Sequence, residues 1–222
     1  MPHQYNAGCE DWVKWVFHMK TLLTIVAAGL LLAGCSEQPA PPAAAKKAEA
    51  TPEPATGQSA LFKMYQVART WAPDAAVLKL DSVRVDGVPD QPGKSAGWEA
   101  VFTSEQKASS HAYTWYPVDQ EPNIHKGVFA GSEQSYSSTH GETTPFLIAD
   151  VKIDTDAALT TAKGKEEAFE KKSPGQPVIY LLEKTSKFAH PAWRVIWGES
   201  VSTSGFSVFV DASTGTFLEI MH

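Results

Sequence analysis

Ser104 and Lys107 stand in "SEQK", the spacing at which a lysine one helical turn beyond a serine can draw off its proton for acyl transfer. That chemistry needs the serine at a helix start. Here the pattern closes the strand-like run "WEAVF" and reads as a hairpin turn, so no nucleophile is assigned to it. His111, His125, His140 and His190 are the residues with metal-ligand chemistry, and a metal needs neutral imidazoles held by fixed outer partners. None lies at i, i+4 from another histidine. They are expected on the surface or in loops, with no metal and no cofactor. No His-Glu-x-x-His is present either, so catalytic residues are not expected.

The one cysteine beyond residue 9 is Cys35. Lys20, the apolar run "TLLTIVAAGLL" and then "LAGC" have the order of a secretory signal: positive residue, short apolar core, small residues before a cut. The block resembles the bacterial lipoprotein signal, in which "LAGC" is the lipobox. The resemblance implies that Cys35 becomes the acylated first residue of the mature protein. Met19 is the natural start of such a signal, and residues 1–18, with Glu10 and Asp11, read as an upstream extension. The segments expected are therefore 1–18, extension; 19–35, signal; 36–58, tether; 59–145 and 146–222, two folded units.

The net charge of -6 is unchanged when residues 1–35 are set aside, because Lys14 and Lys20 balance Glu10 and Asp11. An acidic chain without a basic patch has no electrostatic reason to hold nucleic acid. Membrane attachment then falls to the acyl chains, more than one of which is needed for lasting anchorage. Ser36 after the cysteine, in the lipoprotein resemblance, implies delivery to the outer membrane. Residues 36–58 contain five prolines and no aromatic or large aliphatic residue. Such a stretch cannot be buried and is expected to serve as a tether, roughly 70 Å long at ~3.1 Å per residue.

From Ser59 the pattern changes. Leu61, Met64 or Tyr65, Ala68 and Trp71 fall at helical spacing with Ser59 as N-cap. Ala158, Leu159, Ala162 and Phe169 do the same, with Asp154 or Thr155 as cap and Gly164 inside the helix. Each helix is followed by a proline (Pro73, Pro174), an apolar run opening at Val77 or Val178, and a run opening at Trp98 or Trp193. A third run then follows, "HAYTWYPVD" or "FSVFVDASTG". The prolines are 101 residues apart and the tryptophans 95, a difference that the loop "DGVPDQPGKSAG" absorbs. The expectation is an α+β fold of two helix-plus-antiparallel-meander units forming a pseudo-repeat. One sheet face should take the helix and the other the second unit. Trp193, Val195 and Trp197 point one way and Ile196 the other; Trp98 and Trp193 are expected as core pillars.

"KIDTDAAL" at 152–159, "AWRVIW" at 192–197 and "VFVDASTGTF" at 208–217 resemble the PepSY domain, over the C-terminal unit. The N-terminal unit is similar to a diverged copy. The resemblance implies a binding or regulatory module, since such domains occur as inhibitory parts of thermolysin-like propeptides and in envelope proteins. No peptidase domain follows in this sequence, so a target is expected in trans. Asp211 and Gly215 are expected to form a tight turn.

Residues 117–145 form a long connection, expected to hold one strand, "GVFAGSEQSY", and otherwise rich in Ser, Thr and Gly. Phe129, Tyr136 and His140 within it suit contact with a partner; a plain connector is the alternative. The expected function is non-enzymatic: a lipid-anchored envelope protein that binds or regulates a protein partner, with an envelope peptidase as one target. The alternatives are an assembly accessory contacting cell-wall glycan and, third, a hydrolase with an unrecognised site.

Overall fold

Ala60, Leu61, Met64 and Ala68 recur at the spacing that lines one side of a helix, and α1 (Gly57–Trp71) buries that side. The computed structural model describes residues 52–138 and 142–222. The expected signal, Cys35, His140 and most of the tether lie outside the described residues. Two boundaries differ from the sequence expectation. Pro54 is buried and Ala55 exchanges backbone hydrogen bonds with Ser95 at 2.9 and 3.0 Å, so the end of the tether segment belongs to the fold. The helix begins at Gly57, and Ser59 lies inside it; Thr56 is the N-cap and makes no side-chain capping bond.

The second helix, α2 (Thr155–Lys163), buries Thr155, Ala158, Leu159 and Ala162, with Asp154 as its cap. It does not run on to Phe169. Gly164 is its C-cap, and Phe169 sits on a separate turn, α3 (Glu167–Glu170), stacked on Phe206 at 5.1 Å. Glycine costs about 1 kcal/mol relative to alanine inside a helix, and "KGKEE" at 163–167 brings no apolar side chain to offset it.

The strands are β1 (Ala76–Val83), β2 (Gly97–Ser104), β3 (Ser109–Tyr116), β4 (Gly127–Ser135), β5 (Val178–Glu183), β6 (Ala192–Trp197), β7 (Phe206–Asp211) and β8 (Phe217–Met221). They form one eight-stranded sheet in the order β4-β3-β2-β1-β5-β6-β7-β8. All neighbours are antiparallel, and the order helix then four strands occurs twice along the chain. The fold is α+β. The halves do not stack face to face as expected. They meet edge to edge through β1 and β5, paired at Lys79↔Glu183, Leu80↔Leu182 and Asp81↔Leu181.

Alternation explains this outcome. Leu80, Trp98, Ala100, Phe102, Tyr113, Leu182, Trp193, Val195 and Val208 point to the helices and are buried with them in one core. Lys79, Asp81, Glu99, Glu183 and Arg194 point to the other face. Covering five charged side chains with a second sheet would cost several kcal/mol for each one left unpaired. Where β1 and β5 part, the connection from β4 closes the gap. Phe146 exchanges two hydrogen bonds with Val77 at 2.9 Å, and the Thr144 N–H donates to the Lys184 carbonyl at 2.8 Å.

The two helices share one N-terminal cap. Asp154 Oδ1 accepts from the Thr155 N–H at 2.7 Å and from the Gln58 N–H of α1 at 2.9 Å. Thr155 Oγ1 accepts from the Gly57 N–H at 3.0 Å and donates to the Gly93 carbonyl at 2.5 Å. The "DT" of "KIDTDAAL" thus satisfies first-turn donors of both helices, which otherwise have no intrahelical partner. Beneath the cap, Trp98 and Trp193 meet edge to face at 6.5 Å. Trp98 Nε1 donates to the Ala55 carbonyl at 2.9 Å, and Trp193 Nε1 to the Ile153 carbonyl at 2.8 Å. Gly57 fits here because it has no Cβ: one would lie 2.6 Å from Trp193 Cη2 and 3.1 Å from Trp98 Cη2.

Candidate functional site

Gly127–Ser135, with Val128 and Phe129 near its start and polar residues toward its end, forms β4 and ends the sheet. It pairs with β3 from Tyr116↔Gly127 to Ser109↔Ser135, with an irregularity between His111 and Tyr113. Among the described residues, no strand neighbours its outer N–H and C=O groups. Proteins commonly guard such an edge with lysine or proline, and neither occurs in "GVFAGSEQS". The opposite edge, β8, has five residues against nine, and Lys165 lies over its Phe217 ring at 4.8 Å.

Phe129 pairs with Thr114 and so points away from the helices, while Val128, opposite Trp115, packs toward the core. Its side chain is 53% exposed, with the His125 ring 5.1 Å away. Tyr136 follows the strand, half-buried, its N–H donating to the Ala108 carbonyl at 3.0 Å. Burial and the Glu105 charge raise its phenol above the ordinary value. Phe129 and Tyr136 therefore both belong to the edge region, while His140 lies outside the described residues.

Other side chains at this edge were not anticipated as a group. At the irregularity, His111 Nε2 lies 2.9 Å from the Gly131 carbonyl and Nδ1 lies 3.1 Å from the Tyr113 hydroxyl. A carbonyl can only accept, so in the neutral ring Nε2 carries the hydrogen and Nδ1 accepts from the phenol. Both nitrogens are used, which leaves none for a metal. His111 is thus a strand residue rather than a loop histidine. Ser109 Oγ donates to Glu133 Oε1 at 2.6 Å, and that bond is the main influence holding the Glu133 carboxyl below its usual range. Trp71 meets His111 edge-on at 5.3 Å. The contributing residues span 71 to 133, so no local spacing in the sequence announced the cluster.

The remaining chemistry-bearing residues are tied into structure. Ser104 Oγ donates to Asp74 Oδ1 at 2.7 Å and accepts from the Lys107 N–H at 3.1 Å, which makes "SEQK" a capped turn. Contrary to the expectation that no Gly-x-Ser-x-Gly signature is present, "GKSAG" at 93–97 has that order of a nucleophile elbow. Its Ser95 is 3% exposed, donates to the Val83 carbonyl at 3.1 Å and leads into a strand rather than a helix, so it is not an exposed nucleophile. Among the described residues, no three His, Cys, Asp or Glu side chains gather in a metal-binding group. No described helix is long and apolar enough to cross a membrane.

His190 Nδ1 lies 2.9 Å from Asp211 Oδ2, a pairing across the sequence that spacing did not show. Asp211 Oδ1 accepts from the Ser213 and Thr214 N–H groups at 2.8 and 2.9 Å, and Gly215 takes φ +77°, forming the expected turn. Burial pushes the Asp211 carboxyl up, but the bonds from His190, Ser213 and Thr214 outweigh it and hold the carboxyl below its ordinary 3.8. A depressed folded value stabilises the protein above the ordinary value, and the contribution is lost as pH falls through the folded value. Asp211→Asn should therefore lower stability by about 1 kcal/mol at neutral pH. The gap from wild type should close in acid. Thermal melts of both proteins between neutral and strongly acidic pH would show it, and a pH-independent gap would contradict it.

No protein-family model matches the sequence, and no curated protein matches it. Among solved structures, that of a candidate lipoprotein from Clostridium difficile 630 matches over 73% of this chain and 91% of its own, with 8% identity and a TM-score of 0.40. At that score the likeness carries no argument about fold or role.

Proposed function

We propose that this protein is a lipid-anchored, non-enzymatic binding or regulatory protein of the cell envelope that engages a protein partner along β4. The carrying observation is the edge itself: nine residues without lysine or proline, ending the sheet, with Phe129 more than half exposed. An extended partner segment can add a strand there, main-chain bonds supplying affinity and an aromatic anchor supplying selectivity. "LAGC" at 32–35 supports acylation of Cys35, and the proline-rich stretch after it supports reach from a membrane, with the outer membrane as the destination suggested by Ser36.

The PepSY resemblance supports the regulatory part of the reading. Its three motifs provide the shared helix cap, the Trp193 pillar and the Asp211 turn. We read the two halves as copies of one unit, because each tryptophan donates to a carbonyl two residues before a helix, Ala55 before Gly57 and Ile153 before Thr155. An envelope peptidase met in trans is the partner class that the resemblance favours.

The test is capture from detergent-solubilised membranes with the full chain as bait, wild type beside Phe129→Asp. A stoichiometric partner recovered by wild type and reduced about tenfold or more by the variant is expected, as for loss of an aromatic anchor. Equal recovery by both, or nothing above background, would overturn the reading.

A further inference from the structure

A cavity of about 630 Å³ opens on the sheet face that the helices leave uncovered, in the half of the sheet remote from β4. Its floor is Glu183 of β5, Arg194 of β6 and Phe209 of β7; Lys187, Phe188 and Met221 form part of its wall. Two cations flank one ring: Arg194 Cζ lies 5.5 Å and Lys187 Nζ 6.0 Å from the centroid of Phe209. Phe188 tilts against the same ring at 5.4 Å.

The charges in this cavity are unequally satisfied. Lys187 pairs with Glu219 at 2.5 Å. Arg194 Nε donates to Ser207 Oγ at 3.0 Å, but Nη2 donates to the Met221 thioether at 3.2 Å, a weak acceptor. Among the described residues no carboxylate comes within ion-pair distance of that half-buried guanidinium. Glu183, half-buried, likewise has no hydrogen-bond or ion-pair partner there. Burial, and then the Asp81 charge, raise its carboxyl above the ordinary range, with Arg194 and Lys79 pulling it back and Glu142 pushing it up. Glu183 and Arg194 therefore act on each other's charge without touching. Glu142, also on the cavity wall, adds a second negative charge beside Glu183.

A carboxylate pair on one side, an under-satisfied guanidinium on the other and two phenyl rings beside it match one ligand chemistry. We propose that this cavity binds an amino-acid-like zwitterion, a free amino acid or a short peptide with an apolar side chain. Its ammonium faces Glu183 and Glu142, its carboxylate takes the free hydrogen-bonding capacity of Arg194, and its side chain lies against Phe188 and Phe209. A guanidinium is suited to that carboxylate because it offers several donors in one plane. The site is separate from the β4 edge and does not depend on a partner binding there.

Calorimetric titration of the full chain in detergent tests this with L-phenylalanine, the dipeptide Ala-Phe and N-acetyl-phenylalanine amide. At least one zwitterion should bind saturably, and the blocked compound about tenfold or more weakly, since it loses charge-assisted bonds at both ends. Tighter binding of phenylalanine identifies a free amino-acid site; tighter binding of Ala-Phe identifies a peptide-end site. Arg194→Gln and Glu183→Gln, each with an unchanged melting temperature, should weaken the better zwitterion about tenfold. The proposal is overturned if both zwitterions have Kd above about 10 mM, if the blocked compound binds as tightly, or if the folded variants bind like wild type.

Discussion

Trp193→Ala should destabilise the folded body by ~3 to 5 kcal/mol, a large share of the 5–15 kcal/mol that holds typical domains together. The side chain is fully buried, meets Trp98 edge to face at 6.5 Å and donates to the Ile153 carbonyl at 2.8 Å. Truncation would open a cavity and leave that carbonyl, at the entry to α2, without its donor. The effect should appear as a lower denaturant midpoint and reduced soluble yield. Trp98→Ala should behave alike, since its indole holds the Ala55 carbonyl at the entry to α1. Unchanged melting of Trp193→Ala together with abolished partner binding would instead make the residue a ligand platform.

The second large effect is expected at Thr155. Valine has nearly the same shape, so Thr155→Val isolates the hydroxyl. That hydroxyl is buried, accepts from the Gly57 N–H and donates to the Gly93 carbonyl. Its loss leaves a buried donor and a buried acceptor unpaired, at about 1 to 3 kcal/mol each. Because those groups belong to the N-terminal half while Thr155 opens α2, the whole body should lose stability in one transition. Urea unfolding followed by tryptophan fluorescence would measure it, with Thr155→Ser recovering most of the loss. A Thr155→Val midpoint equal to wild type would show that the shared cap contributes little.

These two residues also mark what the sequence makes legible. "AWRVIW" and "GWEAVF" alternate clearly enough to place Trp98 and Trp193 in the core, and Trp193, Val195 and Trp197 do share the helix-facing side, with Ile196 on the other. Asp154 was readable as the cap of its own helix. Its second bond, to Gln58, was not, because the groups lie 96 residues apart. The same distance problem hid Gly57: "TGQ" carries no apolar signal, and its fit depends on two tryptophans that only the folded chain brings together. The joining of the halves was partly readable. Lys79 and Asp81 alternate with apolar residues in β1, and Glu183 and Arg194 each place one charge on the same face of β5 and β6, the pattern of a face left open to solvent. At the candidate site, the β4 strand and Phe129 were visible in "GVFAGSEQSY", whereas its place at the end of the sheet is a property of topology.

Photo-crosslinking in intact cells can decide whether the β4 edge contacts a protein partner. A photoreactive phenylalanine analogue is placed at Phe129 in one strain and at exposed Thr160 of α2 in another. A discrete crosslinked protein is expected from position 129 and none from 160. The same product from both positions, or no product from 129, would contradict it.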